Sequence, residues 1–262
     1  MEKRAKKVTN DMLKDVLVFD CETTGLPPKG AKWDVDFAGF PNIVQLAWSV
    51  NERERSYIIK PDGWEIPEAS IEIHGITAER ANAEGVPFAD IIDEFLEDCK
   101  KNRLLVGHNI YFDVSIIKAM ILRIMGREYY DAKAEDALFK GKRIDTMMKT
   151  IKFVGALYAN GRPGKYPKLE ELYNKCFPGE TFPAHDALED VRACKRCVPV
   201  LVENGIIELK AKEYPADKLK LEPEPAKTKM VKRTHDPNPV LSPVVDAEPE
   251  SKVKQMLDET EF

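Results

Sequence analysis

Short apolar runs alternate with segments of helical periodicity along most of this chain. The apolar runs predict strands over 16–20, 42–50, 55–60 and 103–108, and the charged turn 51–54 joins the second and third into a hairpin. Apolar residues three or four positions apart predict helices over 87–99, 112–125, 169–177 and 185–203. A hairpin-containing sheet flanked by helices is an α/β fold with a mixed sheet.

The composition changes near Pro215. Seven prolines and few large apolar residues occupy the stretch from Pro215 to Pro249, and such a segment buries too little surface to offset its ordering entropy. We therefore expect residues 1–214 to form one domain and residues 215–262 to form a flexible, Pro-rich, charged tail. The last residues, 252–262, could dock on a partner protein, but plain disorder is the favoured interpretation.

The sequence indicates a soluble protein of the cytoplasm. No run approaches the ~18 consecutive apolar residues of a membrane helix, and the charged N-terminal segment is not followed by an apolar one, so we expect no membrane partner and no secretion signal. Five cysteines without framework spacing indicate reduced thiols. Cys194 and Cys197 form a C-x-x-C, but inside a predicted helix two small residues on one face are favoured over a zinc or redox site.

Positive charge is concentrated in one part of an acidic chain. The net charge is −5, yet residues 140–168 contain eight basic residues and one acid, Asp145. A solvated face and a surface that contacts phosphates both fit this pattern. The loop 154–168 comes before the last motif described below, which favours contact with a nucleic-acid backbone.

Two acids lie two positions apart at the end of the first predicted strand. Because side chains alternate along a strand, Asp20 and Glu22 face one side of the sheet and Cys21 faces the other. Several converging carboxylates are the usual way to bind hard divalent cations such as Mg²⁺. A salt bridge or turn at the strand end is the alternative.

Two further segments place polar groups at the starts of helices. Asp113 falls in the first turn of the helix after strand 103–108, where the helix dipole alone would favour it, and Asn109 could be only a cap. His185 and Asp190 are five apart, about 140° of helical rotation, so we expect His185 before or in the first turn and Asp190 pointing back towards it. The histidine suits a general base, although a lone loop histidine is usually just exposed.

Taken in order, these segments resemble the DEDD superfamily of 3′–5′ exonucleases and its histidine-bearing DEDDh branch, which includes the epsilon proofreading subunit of bacterial DNA polymerase III and oligoribonuclease. D-x-E-T is matched at Asp20–Thr23, G-H-N-x-x-F-D at Gly107–Asp113 and H-x-A-x-x-D at His185–Asp190. The segment Ile73–Thr77, IHGIT, is similar to the epsilon-like branch. The resemblance runs from Val16 to Val202.

The resemblance implies an RNase H-like fold with a central five-stranded mixed sheet. It implies a metal-dependent exonuclease that releases nucleoside 5′-monophosphates from single-stranded 3′ ends, with His185 as the base that deprotonates water. The backbone around Thr23 and the side chain of Asn109 would contact the terminal nucleotide. Two divalent ions, Mg²⁺ or Mn²⁺, would be bound by Asp20, Glu22, Asp113 and Asp190.

The sequence constrains the substrate and the partner protein less than it constrains the fold and the chemistry. DNA is favoured over RNA because IHGIT follows the polymerase-associated branch, and proofreading would need a polymerase or another replication or repair protein as partner. An RNA exonuclease similar to oligoribonuclease is the alternative, and a non-catalytic nucleic-acid-binding module is disfavoured because all five site residues are present. Trp33, Phe37 and Phe40 could stack on bases or cover the core, and we favour the core.

Overall fold

The computed structural model describes Leu13 and residues 16–102, 104–139 and 142–209. Among them, five strands form one mixed sheet in the order β3-β2-β1-β4-β5. Strands β1, β4 and β5 are parallel, whereas β2 is antiparallel to both β1 and β3. The strands are β1 (Val16–Thr23), β2 (Ile43–Val50), β3 (Arg53–Ile58), β4 (Leu104–Gly107) and β5 (Lys142–Asp145).

Helices cover both faces of this sheet, as the predicted α/β fold requires. A 3₁₀ turn at Phe37–Gly39 lies in the loop after β1, and a π-helical turn at Tyr130–Ala134 lies between α5 and α6. No helix in the described ranges is long and apolar enough to cross a membrane. The α-helices are α1 (Glu68–His74), α2 (Ala78–Glu84), α3 (Phe88–Lys101), α4 (Ile110–Ile124), α5 (Gly126–Tyr129), α6 (Glu135–Phe139), α7 (Thr146–Val154), α8 (Leu169–Cys176) and α9 (Ala187–Glu203).

The alternation of side chains along β1 divides the core into two layers. Leu17, Phe19 and Cys21 pack with residues of α3 and α4, whereas Val16 and Val18 pack with residues of α8 and α9. Apolar burial on both faces is the main force that holds helices to a central sheet. By the same alternation, the even-numbered acids of β1 lie on the side of α8 and α9.

The carboxyl ends of the three parallel strands lie at one edge of the sheet. Asp145, the last residue of β5, caps α7 because its Oδ1 accepts the N–H of Met148 at 3.1 Å. The same oxygen accepts the N–H of Asn109, which follows β4, at 3.2 Å. The connections that leave β4 and β5 are therefore held together at this edge.

Element boundaries differ from the sequence prediction in ways that matter for the site. Strand β1 continues to Thr23 instead of ending at residue 20, so that both of its acids lie within the strand. Strand β3 occupies Arg53–Ile58 instead of 55–60. Helix α4, which is the second of the predicted helices, begins at Ile110 instead of residue 112. The residue pattern did not predict strand β5 or helices α1, α2, α5, α6 and α7, because each is too short for a clear periodic pattern.

The long loop after β1 packs on the core, which confirms the favoured interpretation of its aromatic residues. Phe40 is buried, and Trp33 and Phe37 are partly buried against the α3–α4 layer. The Arg123 guanidinium donates hydrogen bonds to the carbonyls of Phe37 and Phe40 at 2.9 Å each and to Asn42 Oδ1 at 2.7 Å. The loop is therefore anchored to α4.

All five cysteines are free thiols. Cys194 and Cys197 lie on α9 and are buried in the α8–α9 layer. The predicted domain boundary at 214 and the predicted tail, 215–262, lie outside the described residues.

Candidate active site

The first pair of predicted site residues lies at the carboxyl end of β1. The register of the pairing with β2 shifts between Glu22 and Thr23, so that the ladder becomes irregular where the acids lie. The strand then turns at Thr23, whose hydroxyl donates a 2.8 Å hydrogen bond to the Gly25 carbonyl. Thr24 holds the neighbouring loop, because its hydroxyl accepts the N–H of Asn42 at 2.8 Å.

Asp113 reaches the same place from the opposite layer. It lies in the first turn of α4 and is 3% exposed. Its Oδ1 accepts hydrogen bonds from the Cys21 N–H at 3.2 Å and from the Cys21 thiol at 3.0 Å. Because Cys21 lies between Asp20 and Glu22, the Asp113 carboxylate is fixed against the backbone between the two acids of β1.

Asn109 precedes α4 in a left-handed backbone conformation with φ of 67°, which asparagine tolerates better than most residues. Its side chain makes no capping hydrogen bond to the helix. Asn109 therefore occupies the position before the helix, but its side chain does not act as the cap.

His185 and Asp190 have the arrangement that their spacing predicted. Helix α9 begins at Ala187, so that His185 precedes it and Asp190 lies in its first turn. His185 has φ of 70°, and its N–H donates to Asp190 Oδ2 at 3.3 Å. The imidazole is exposed, and its Nε2 lies 3.9 Å from Glu170 Oε1 of α8.

Three of these residues form a cluster with the chemistry of a cation site. Ligand atoms of Glu22, His185 and Asp190 all lie within 4.8 Å of one another. The Oδ1 atom of Asp190 is buried and has no hydrogen-bond partner among the described residues. A buried carboxylate oxygen without a donor is costly, and a hard cation would satisfy it.

The electrostatics bring Asp20 and Asp113 into the same cluster. Burial raises the pKa of Asp20 well above its usual value, and the negative charges of Asp113, Asp190 and Glu22 raise it further. Burial and then the charges of Asp190 and Asp113 raise the pKa of Glu22 to about 8. Four crowded acids cannot all ionise alone, but a divalent cation reverses this balance.

Burial also raises the pKa of Asp113 and of Asp190 to about 7 in each case. Hydrogen bonds act in the opposite direction at both residues, from Cys21 to Asp113 and from the His185 N–H to Asp190. The structure thus brings together all five residues predicted to form the centre of the site, three by direct distance and two through their electrostatic influence.

Comparison with known proteins identifies the family. The family model described as exonuclease, RNase T, matches residues 17–197, which include every residue of this cluster. The chain belongs to this exonuclease family. No curated protein sequence matches the chain.

Solved structures agree on the fold of the exonuclease domain. Escherichia coli exonuclease I in complex with a dA16 oligonucleotide is 21% identical, with a TM-score of 0.53, over 71% of this chain and 40% of that one. Exonuclease I from Methylocaldum szegediense is 20% identical, with a TM-score of 0.53, over 72% of this chain and 42% of that one. The chain thus spans less than half of these proteins, and the likeness confirms the RNase H-like fold.

The exonuclease domain contains a site residue that the sequence prediction missed. Gln45 of β2 is buried and lies opposite Glu22 in the strand pairing. Its Nε2 donates to Asp186 Oδ2 at 3.1 Å, and its Oε1 accepts the N–H of Ala187 at 3.1 Å. Asp186 in turn caps α9, so Gln45 fixes the start of the helix that carries Asp190. The available signal was an amide within the apolar run 42–50.

Two more histidines of the exonuclease domain lie in the segments that carry the resemblance. His108 is held between Thr146 Oγ1, 3.0 Å from its Nδ1, and the Pro167 carbonyl, 2.8 Å from its Nε2. His74 of the IHGIT segment accepts the N–H of Ile76 at 3.1 Å. Its pKa is lowered by burial and then by the charge of His185, which brings this segment within electrostatic reach of the site.

Proposed function

We propose that this chain is a metal-dependent 3′–5′ exonuclease that removes nucleoside 5′-monophosphates from single-stranded 3′ ends, of DNA in preference to RNA. The observation that carries the proposal is the convergence of four partly or fully buried acids and a histidine at one sheet edge of an exonuclease domain. Such a cluster destabilises a metal-free fold, and its expected compensation is metal-dependent chemistry.

Two divalent ions, Mg²⁺ or Mn²⁺, would be held by Asp20, Glu22, Asp113 and Asp190. Exonucleases of this family use divalent metals, and the buried Oδ1 of Asp190, without a donor in the described ranges, fits such a ligand role. When bound, the ions supply charge neutralisation on the phosphate and stabilise the attacking and leaving oxygens.

His185 would accept the proton of the attacking water on its imidazole. Its backbone is fixed by the hydrogen bond to Asp190, while its exposed ring can meet solvent and substrate. Imidazole exchanges protons near neutral pH, which suits a general base.

The terminal nucleotide would contact the backbone around Thr23 and the side chain of Asn109. Both residues lie at the carboxyl edge of the sheet, and the Asn109 amide is not used for capping. The preference for DNA rests on the IHGIT segment, which lies within electrostatic reach of His185. A polymerase, or another replication or repair protein, remains the predicted partner, and the five free thiols suit a cytoplasmic location.

The test compares DNA and RNA oligonucleotides of one sequence, labelled at either end and incubated with Mg²⁺ or EDTA. We expect 3′-labelled DNA to release labelled mononucleotide at once, 5′-labelled DNA to give a descending ladder, and circular single-stranded DNA to resist. RNA should be cut more slowly, and EDTA should stop every reaction. Equal or faster cleavage of RNA would overturn the DNA preference.

The inactive control is the variant Asp20→Ala, which is purified in the same way and checked for folding by circular dichroism. We expect it to fold and to lose turnover, because one ligand of the cluster is removed. Full activity in this variant, or hydrolysis that EDTA does not affect, would contradict the proposed site.

A further inference from the structure

A basic surface starts at the edge of the candidate active site. Residues 142–168 include seven basic residues, and their single acid, Asp145, is buried as the cap of α7. Lys149 and Lys152 lie on the exposed outer face of α7, and no carboxylate of the described residues forms an ion pair with either. The positive charges of these two lysines therefore face solvent.

Helix α7 begins beside Asn109. Asp145 Oδ1 accepts the N–H groups of both Asn109 and Met148, which places the first turn of α7 next to the segment that precedes α4. The helix has nine residues and so extends about 13 Å from this point. Its lysines therefore follow a line that starts at the site.

The segment after α7 returns to the site. The carbonyl of Pro167 accepts a hydrogen bond from His108 Nε2 at 2.8 Å, and His108 is the neighbour of Asn109. Lys165 Nζ lies 3.1 Å from Glu171, whose neighbour Glu170 approaches His185. Both ends of the basic region are thus fastened next to predicted site residues.

The tip of this return segment is formed by backbone hydrogen bonds. Leu157 bridges to Pro163, and the Tyr158 N–H donates to the Arg162 carbonyl at 2.9 Å. The Arg162 guanidinium lies 4.9 Å from the centre of the Tyr158 ring, and Leu157 is exposed. A cation beside an aromatic ring is a combination that serves phosphates and bases of single strands.

We propose that the outer face of α7 and the return segment 155–167 bind the backbone of the substrate strand, 5′ of the nucleotide that is removed. The inference rests on the proposed function, because it takes the strand's 3′ end to lie at the acidic cluster. The two surfaces differ in charge. The acidic cluster needs metal ions to accept a phosphate, whereas the basic surface attracts phosphates directly.

The test uses the double variant Lys149→Gln/Lys152→Gln, with Lys100→Gln/Lys101→Gln as matched control. The control removes the same charge from the last turn of α3, which leads into the amino-terminal end of β4, whereas the site lies at the carboxyl ends of the strands. The first readout is fluorescence anisotropy of labelled dT12 in EDTA, which needs no turnover. The second is hydrolysis of thymidine 5′-(p-nitrophenyl phosphate) with Mg²⁺, a substrate that lacks the upstream strand.

We expect the double variant to bind dT12 about 3- to 30-fold more weakly at moderate salt, from two lost charge contacts. The slope of log affinity against log salt should become shallower by about 1.4, since each lost phosphate contact on a single strand contributes about 0.7. The control should match the unmodified protein on dT12, and all three proteins should hydrolyse the nitrophenyl ester equally.

Unchanged dT12 affinity and salt slope in the double variant would overturn the proposal, and that result would also follow if the surface served an acidic protein partner instead. An equal loss in the control would show a general effect of net charge and would likewise overturn it. Failure of the unmodified protein to hydrolyse any substrate would count against the proposed function alone, because the anisotropy measurement still tests the surface.

Discussion

The variant Gln45→Leu is predicted to disturb the position of α9 while it keeps every residue of the acidic cluster. The substitution places an apolar side chain of similar volume in β2 and removes the hydrogen bonds to Asp186 and Ala187, together with one to the exposed Ser56. The Ala187 N–H is then buried without an acceptor, at a cost of about 1–3 kcal/mol, and Asp186 loses a donor to a charged group, at about 1.5–3 kcal/mol.

These two losses overlap, because both act on the first turn of α9, so we expect the free energy of unfolding to fall by roughly 2–5 kcal/mol. That is a large part of the ~5–15 kcal/mol of a typical domain, and urea denaturation in EDTA measures it directly. Turnover should fall by about 10- to 100-fold, because a shift of His185 and Asp190 by about 1 Å is enough for such a loss. The KM for dT12 should change less.

Ser49→Ala is the matched control. Ser49 is also buried in β2 and accepts a 3.0 Å hydrogen bond from Lys195, farther along α9. Its loss should lower stability by about 1 kcal/mol and leave kcat nearly unchanged. A Gln45→Leu variant that keeps both its stability and its kcat, or a Ser49→Ala variant that loses as much kcat, would refute the reasoning.

Three further predictions follow from the cluster and the tail. His185→Ala should reduce kcat strongly and Mn²⁺ affinity only slightly, and a collapse of metal affinity in a titration would contradict its role as base. In EDTA, the free energy of unfolding should fall by a few kcal/mol as the pH rises from about 4, where acids titrate in unfolded chains, to about 8, because the four acids have raised pKa values in the folded state. Saturating Mg²⁺ should remove this decline, and denaturation curves at each pH would show whether it does. Deletion of residues 216–262 should leave hydrolysis of short oligonucleotides intact, and a large loss of kcat would mean that the tail helps to form the site.

The sequence was sufficient where local geometry determined the outcome. Alternation along β1 placed Asp20 and Glu22 on one face, and the five-residue spacing placed His185 outside α9 with Asp190 in its first turn. The RNase H-like fold followed from motifs that occur in order, although no periodic pattern revealed strand β5 or helix α7.

Long-range packing determined the rest. Nothing in the sequence indicated that Asp113 would accept hydrogen bonds from the backbone and thiol of Cys21, because that contact joins residues 92 positions apart. The apolar pattern of 42–50 predicts only a strand residue at Gln45, although two of its polar partners, Asp186 and Ala187, lie at the start of α9, more than 140 positions later. Such contacts depend on how the two layers meet across the sheet, which local patterns do not encode.

The placement of Asp113 in one helical layer and Asp190 in the other has a mechanical consequence. Any ion that touches both would tie α4 to α9 across the end of β1, so chelation should loosen both layers together instead of a single loop. Amide hydrogen exchange would then accelerate at the amino-terminal turns of these two helices at once. In such an enzyme, metal binding would order these two helices and complete the active site in one step.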